Sequence, residues 1–139
     1  MFKKILVAVD GSEHALRACK VGLDIAKAMH SAVTLVYAAY VPAIYDYDLG
    51  PEIRDSLREE GRKILNTAEQ VFKESNTDVE QKLLFDEKAE DGILRLLSNG
   101  SFDLVILGSR GLDATRQKSL GSTSLRVLSG ANCPVMIVH

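Results

Sequence analysis

The chain has 139 residues, 46% of them hydrophobic and 26% charged, with 17 Lys and Arg against 19 Asp and Glu and a formal net charge of -2. That length suits one domain with a single core, taken here as residues 1–139. The near-neutral balance excludes a broad basic surface for nucleic acid, and no apolar run approaches the roughly 20 residues of a membrane-spanning helix.

Lys3 to Val9 reads as a strand. Asp10 cuts the apolar stretch short and no cleavage pattern of a secretion signal follows, so a cytoplasmic location is expected. Asp10-Gly11-Ser12-Glu13 is the turn that starts a helix, with Ser12 as its cap, and the helix runs to about His30. Ala15, Ala18, Cys19, Gly22, Ala26 and Met29 share one face of it, which makes Cys19 a small buried hydrophobe. His14 falls on the polar side with Arg17, Lys20, Asp24 and Lys27, where solvent exposure is expected. Cys133, before Pro134, has no metal-ligand or redox spacing to Cys19.

Ala32 to Ala38 is a second strand, rich in β-branched and aromatic residues. Ala39 to Gly50 is too polar and irregular for a buried element. Its tyrosines, from Tyr40 to Tyr47, either cover a ligand or cap the core. Pro51 opens a long helix whose stripe of Ile53, Leu57, Gly61, Ile64, Ala68, Val71 and Phe72 faces inward. Val79 to Phe85 is a third strand, less apolar and so nearer a sheet edge. Ala89, Ile93, Leu96 and Leu97 form the inner face of a third helix, which Asn99-Gly100 ends. Phe102 to Leu107 is a short apolar run of the kind buried on both faces of a parallel sheet. A glycine loop and a last helix follow, and Val135 to Val138 is strand five.

Strands and helices alternate throughout, which predicts an α/β fold: a doubly wound five-stranded parallel sheet with helices on both faces. Ligands of such sheets sit beyond the carboxyl ends of the strands, where the strand order reverses. The chemically loaded loops follow strands one and four. Making those two strands neighbours gives the order 3-2-1-4-5, with strand five at an edge open to another chain.

The loop after strand four carries most of the chemistry. Glycines at 108, 111 and 121 let backbone N–H groups approach a ligand. Ser122, Thr123 and Ser124 supply hydroxyls and can cap the helix that starts there, whose first amides favour an anion. Arg110, Arg116, Lys118 and Arg126 against Asp113 give this stretch a local charge of 4 - 1 = +3. A phosphate is the simplest tenant. There is no G-x-x-x-x-G-K-[S/T] loop, no G-x-G-x-x-G after a strand and no G-x-S-x-G elbow. A receiver domain would share Asp10, Asp86 and Ser109 after strands one, three and four, but asks for a lysine after strand five. The histidines do not converge, and one carboxylate, Asp10, has a claim on the crevice, either as a ligand group or as a turn aspartate bonding its own backbone.

Gly108-x-x-Gly111, nine residues, then Gly121-Ser122 resembles the G-2x-G-9x-G-[S/T] signature of the nucleotide-binding branch of the universal stress protein family. Ile5-Leu6-Val7-Ala8-Val9-Asp10-Gly11-Ser12-Glu13 is similar to that family's first strand and loop, and Asp103 to Gly108 to its fourth strand. The resemblance implies an adenine nucleotide alpha hydrolase-like fold and an ATP-binding stress-response regulator. By resemblance, Ala8, Val9 and Asp10 lie against the adenosine and Ala38 offers backbone contacts to adenine. Gly108, Ser109, Arg110 and Gly111 wrap the ribose and first phosphates, and Gly121, Ser122, Thr123 and Ser124 hold the remaining phosphates. ATP, ADP or AMP is the expected ligand, with Mg2+ accompanying the triphosphate. A homodimer through Val135, Met136, Ile137 and Val138 is implied as well. Two alternatives remain: a slow ATPase or autophosphorylating protein using Ser122-Thr123-Ser124, and a dimerising module without a ligand. One departure from the family pattern stands after strand three, where Glu87 and Ala89 replace a glycine and a proline.

Overall fold

The computed structural model describes residues 1–40, 50–85, 87–110 and 120–139. Five parallel strands, β1 (Lys4–Ala8), β2 (Ala32–Ala39), β3 (Val79–Phe85), β4 (Leu104–Gly108) and β5 (Val135–Val138), pair in the order β3-β2-β1-β4-β5. Between them run the helices α1 (Glu13–Met29), α2 (Pro51–Glu69), α3 (Ala89–Asn99) and α4 (Ser122–Gly130). The expected order and class are those observed. β3 and β5 form the two edges.

Side chains of a strand alternate between faces, so each strand divides its apolar residues between two cores. Ile5, Val7, Leu35 and Ile106 pack with Ala15 and Cys19 of α1 and with Leu65 and Ala68 of α2. Leu6, Val36, Val105 and Leu107 pack on the other face with Ile93 and Leu97 of α3 and Val127 of α4. Nothing polar interrupts β1 or β4 because both faces are covered. Ile5, Leu6, Val105 and Ile106 are fully buried.

α1 starts and stops where its sequence dictates. Ser12 is the N-cap and its Oγ accepts from the Ala15 N–H at 3.2 Å. His30 takes the left-handed conformation at the C-terminus, with φ 55°, and donates its N–H to the Ala26 carbonyl. β4 begins at Leu104 rather than Phe102, because Asp103 is engaged elsewhere. Its carboxylate accepts from the Lys3 and Lys4 N–H groups at 2.9 and 3.1 Å, pinning the entry of β4 to that of β1.

The expected inner stripe of α2 needs correction at Ile53 and at Leu65. Ile53 is 48% exposed, while Leu65, outside that stripe, is 1% exposed. Arg54 and Arg58 stack on the ring of Phe85, the last residue of β3, at 5.7 and 4.4 Å. The first turns of α2 therefore stand beyond the end of the sheet, and a residue there on the inward face meets no sheet to pack against. A 3-10 turn, Gln70–Phe72, extends the helix and buries Phe72.

Candidate functional site

Strands β1 and β4 part at their carboxyl ends. Their ladder closes with Val7 opposite Ile106, whereas β1 stays paired with β2 to Ala8 and β4 with β5 to Gly108. The chain leaves β1 toward α1 on one face of the sheet and enters β4 from α3 on the other. In doubly wound sheets such a switch point is where a ligand crevice is expected.

On the β1 side, Asp10 folds back on its own turn. Its Oδ1 accepts from the Ser12 N–H at 2.9 Å, and Gly11 between them has φ 87°, a conformation that favours glycine. The carboxylate thus braces the turn, with its Oδ1 engaged locally. Ala8 and Val9 point to opposite faces: Ala8 packs with the α3 and α4 core, whereas Val9 is buried in the α1 and α2 core and donates its N–H to the Val36 carbonyl at 2.9 Å. Of these two, Ala8 presents its side chain to the α4 side of the crevice. Ala38, the last residue but one of β2, lies two residues past Val36 on the same face and is half-buried.

On the β4 side, the loop is fastened at its base. Ser109 is buried, donates its N–H to the Val138 carbonyl and accepts from the Gly121 N–H, both at 2.8 Å. Gly108 lies against the first turn of α1, where a Cβ in its place would stand 2.8 Å from His14 Cβ. Arg110 is half-buried at the start of the loop. Gly111 falls outside the described residues, as do Asp113, Arg116, Lys118, Tyr45, Tyr47 and Asp86.

The expected capping of α4 by hydroxyls is corrected. Gly121 is the N-cap, and among the described residues no side chain caps the helix. Ser124 is buried and donates its hydroxyl to the Gly108 carbonyl at 2.8 Å, and the Thr123 hydroxyl reaches Glu90 at 3.5 Å. Those hydroxyls fix the helix to β4 and α3. What remains for an incoming anion is the row of backbone N–H groups of Ser122, Thr123 and Ser124, which have no acceptor within the helix, and the exposed Ser122 side chain. The macrodipole adds partial positive charge there.

Three neighbours were not legible as site residues. His14, assigned to solvent, is half-buried, covers Gly108, and accepts at Nδ1 from Arg17 at 3.1 Å; the three-residue spacing of the pair was its available signal. Glu90 sits beside the α4 N-terminus. Glu87, at the departure from the family pattern, is clamped by Arg95 through two 2.9 Å bonds at the start of α3. Among the described residues no cluster of three His, Cys, Asp or Glu could hold a metal ion, and no helix is long and apolar enough to cross a membrane. Burial pushes the Cys19 thiol up to about 12, and burial with Asp103 raises that of Cys133, so neither is an activated nucleophile.

A doubly wound parallel sheet whose strand order reverses between a braced aspartate turn and the N-terminus of a helix defines an α/β protein. The profile of the Universal stress protein family matches residues 1–139. A universal stress protein of Thermus aquaticus is 36% identical over 139 residues, covering 100% of both chains. Among solved structures, the protein MJ0577 superposes with a TM-score of 0.89 at 24% identity, covering 99% of this chain and 96% of that one. A universal stress protein family member of Arabidopsis thaliana, solved with AMP bound, gives 0.73 at 22% identity over 98% of this chain and 90% of that one. The chain belongs to the universal stress protein family.

Proposed function

We propose that the protein is a cytoplasmic regulatory member of its family that binds an adenine nucleotide in the crevice between β1 and β4. The observation that carries this reading is the uncapped row of N–H groups at Ser122, Thr123 and Ser124, held against β4 by the bond from Ser124 to Gly108. An anion placed there gains hydrogen bonds and the helix dipole together. The AMP in the Arabidopsis relative supports the same class of ligand.

In this reading the adenosine lies on the α4 side of Ala8 and Ala38, with the backbone at Val9 and the Asp10 carboxylate at its edge. Gly108, Ser109, Arg110 and Gly111 border the ribose and first phosphate, and the amides at Gly121, Ser122, Thr123 and Ser124 face the remaining phosphates. The hydroxyls of Thr123 and Ser124 position these amides rather than the ligand. The described residues offer no carboxylate cage for a metal, so Mg2+ would enter on the phosphates of ATP, through phosphate oxygens and water.

Ligand occupancy shifts the balance between conformations of the protein in proportion to its differential affinity for them. A homodimer through the edge strand β5, Val135 to Val138, would present two such crevices. The sequence offers no dedicated base beside Asp10, so any turnover of ATP would be slow. Equilibrium titration of ligand-free protein with ATP, ADP and AMP tests the reading. Saturable binding is expected, and its absence at millimolar nucleotide would overturn it.

A further inference from the structure

On the other face of the β1–α1 turn, away from the nucleotide side, α1 and α2 separate around a cavity of about 210 Å³. Its floor is apolar, formed by Val9, Ala15, Leu16, Ile64 and Ala68. Glu60, Lys63 and Thr67 of α2 also line it and are exposed, and so form its mouth. Drug-sized ligands and cofactors need about 300 Å³ or more, whereas an apolar void of about 150 Å³ already accommodates benzene. The space fits one small aliphatic side chain and is too small for a nucleotide.

The mouth is as informative as the floor. Glu60 and Lys63 are three residues apart on one helix and so share a face. Among the described residues they form no ion pair with each other or with another side chain, although such spacing allows one. Two opposite charges thus stand side by side over an apolar hole. A ligand carrying an ammonium, a carboxylate and a compact apolar body would complement all three features.

We propose that this cavity is a binding site for a free α-amino acid with a branched aliphatic side chain. The side chain lies between Ala15 and Ile64, the ammonium faces Glu60 and the carboxylate faces Lys63. Gly11 and Ser12 line the same cavity, and they immediately follow Asp10. An occupant therefore touches the turn that forms the β1 wall of the crevice. The site stands whether or not a nucleotide binds there.

The test is a titration of the full chain with leucine, read by the methyl resonances of Val9, Ala15 and Ile64. Saturable shifts at millimolar leucine are expected. Glu60→Gln and Lys63→Met, both at exposed positions, should each weaken binding about threefold, the scale of an exposed charge pair. Thr67→Phe, which fills the mouth, should abolish it. Three results would overturn the proposal: no saturable shift, binding unaffected by either charge variant, or equal binding of 4-methylpentanoate and 3-methylbutylamine. The last would leave a plain apolar void that does not read the zwitterion.

Discussion

The hydroxyl of Ser124 donates to the carbonyl of Gly108 at 2.8 Å, joining the first turn of α4 to the last residue of β4 across the loop between them. Sixteen positions of sequence separate the partners. Ser124→Ala leaves that carbonyl without its side-chain donor and is expected to cost about 1–3 kcal/mol. Urea unfolding measures the loss, and nucleotide affinity should fall with it because the N-terminal amides of α4 lose their anchor.

The two glycines at the ends of the loop separate stability from binding. At Gly108 a Cβ would stand 2.8 Å from His14 Cβ and 3.0 Å from its carbonyl carbon, so Gly108→Ala is expected to destabilise by about 1–3 kcal/mol. At Gly121 the nearest atoms of the described residues to a Cβ are 3.7 Å away, with φ -66° and ψ 161° open to any residue. Gly121→Ser introduces a better N-cap and should raise stability by a few tenths of a kcal/mol, about the difference between those caps. Its hydroxyl would also take an α4 amide that the proposed phosphate needs. Thermal melting and nucleotide titration of one sample should therefore move in opposite directions.

Asp10 serves the turn and, in the proposed reading, the ligand. Asp10→Asn keeps an oxygen for the Ser12 N–H and should leave stability within about 0.5 kcal/mol, whereas Asp10→Ala removes the turn bond and should cost about 1 kcal/mol. Both should weaken nucleotide binding. Equal affinity of wild type and Asp10→Asn would assign the carboxylate to the turn alone.

Cys19 predicts an alkaline limit. Burial lifts its thiol from an ordinary 9.0 to about 12, so the folded state holds the proton more tightly than the unfolded state. The stability from this group is complete below pH 9 and is lost as pH rises from 9 toward about 12. Cys19→Ala should flatten that part of the stability–pH curve, measured by denaturant unfolding at each pH.

Legibility followed how local the physics was. Ser12 as a cap, His30 as the end of α1 and Val135–Val138 as a strand are set by neighbours in sequence, and all were read correctly. The parallel order followed from asking which two loops share one crevice. The errors arose where a distant partner decides. Ile53 reads as buried from its period, but the sheet ends before it. Leu65, in contrast, keeps the helical period of Gly61 and Ala68 and was legible there; it is buried with Ala68 and Phe72. Ser124 looks like a cap in sequence, and it becomes a tie only because Gly108 of β4 lies within reach of its hydroxyl.

The bond from the Gly121 N–H to the Ser109 carbonyl has a corollary. It makes a neck: the intervening stretch departs from and returns to the sheet at a single point, so its length is decoupled from the frame below. Doubling such an excursion costs only about 0.6 kcal/mol of closure entropy. A change in the length of this stretch should therefore leave the scaffold under the neck as it is.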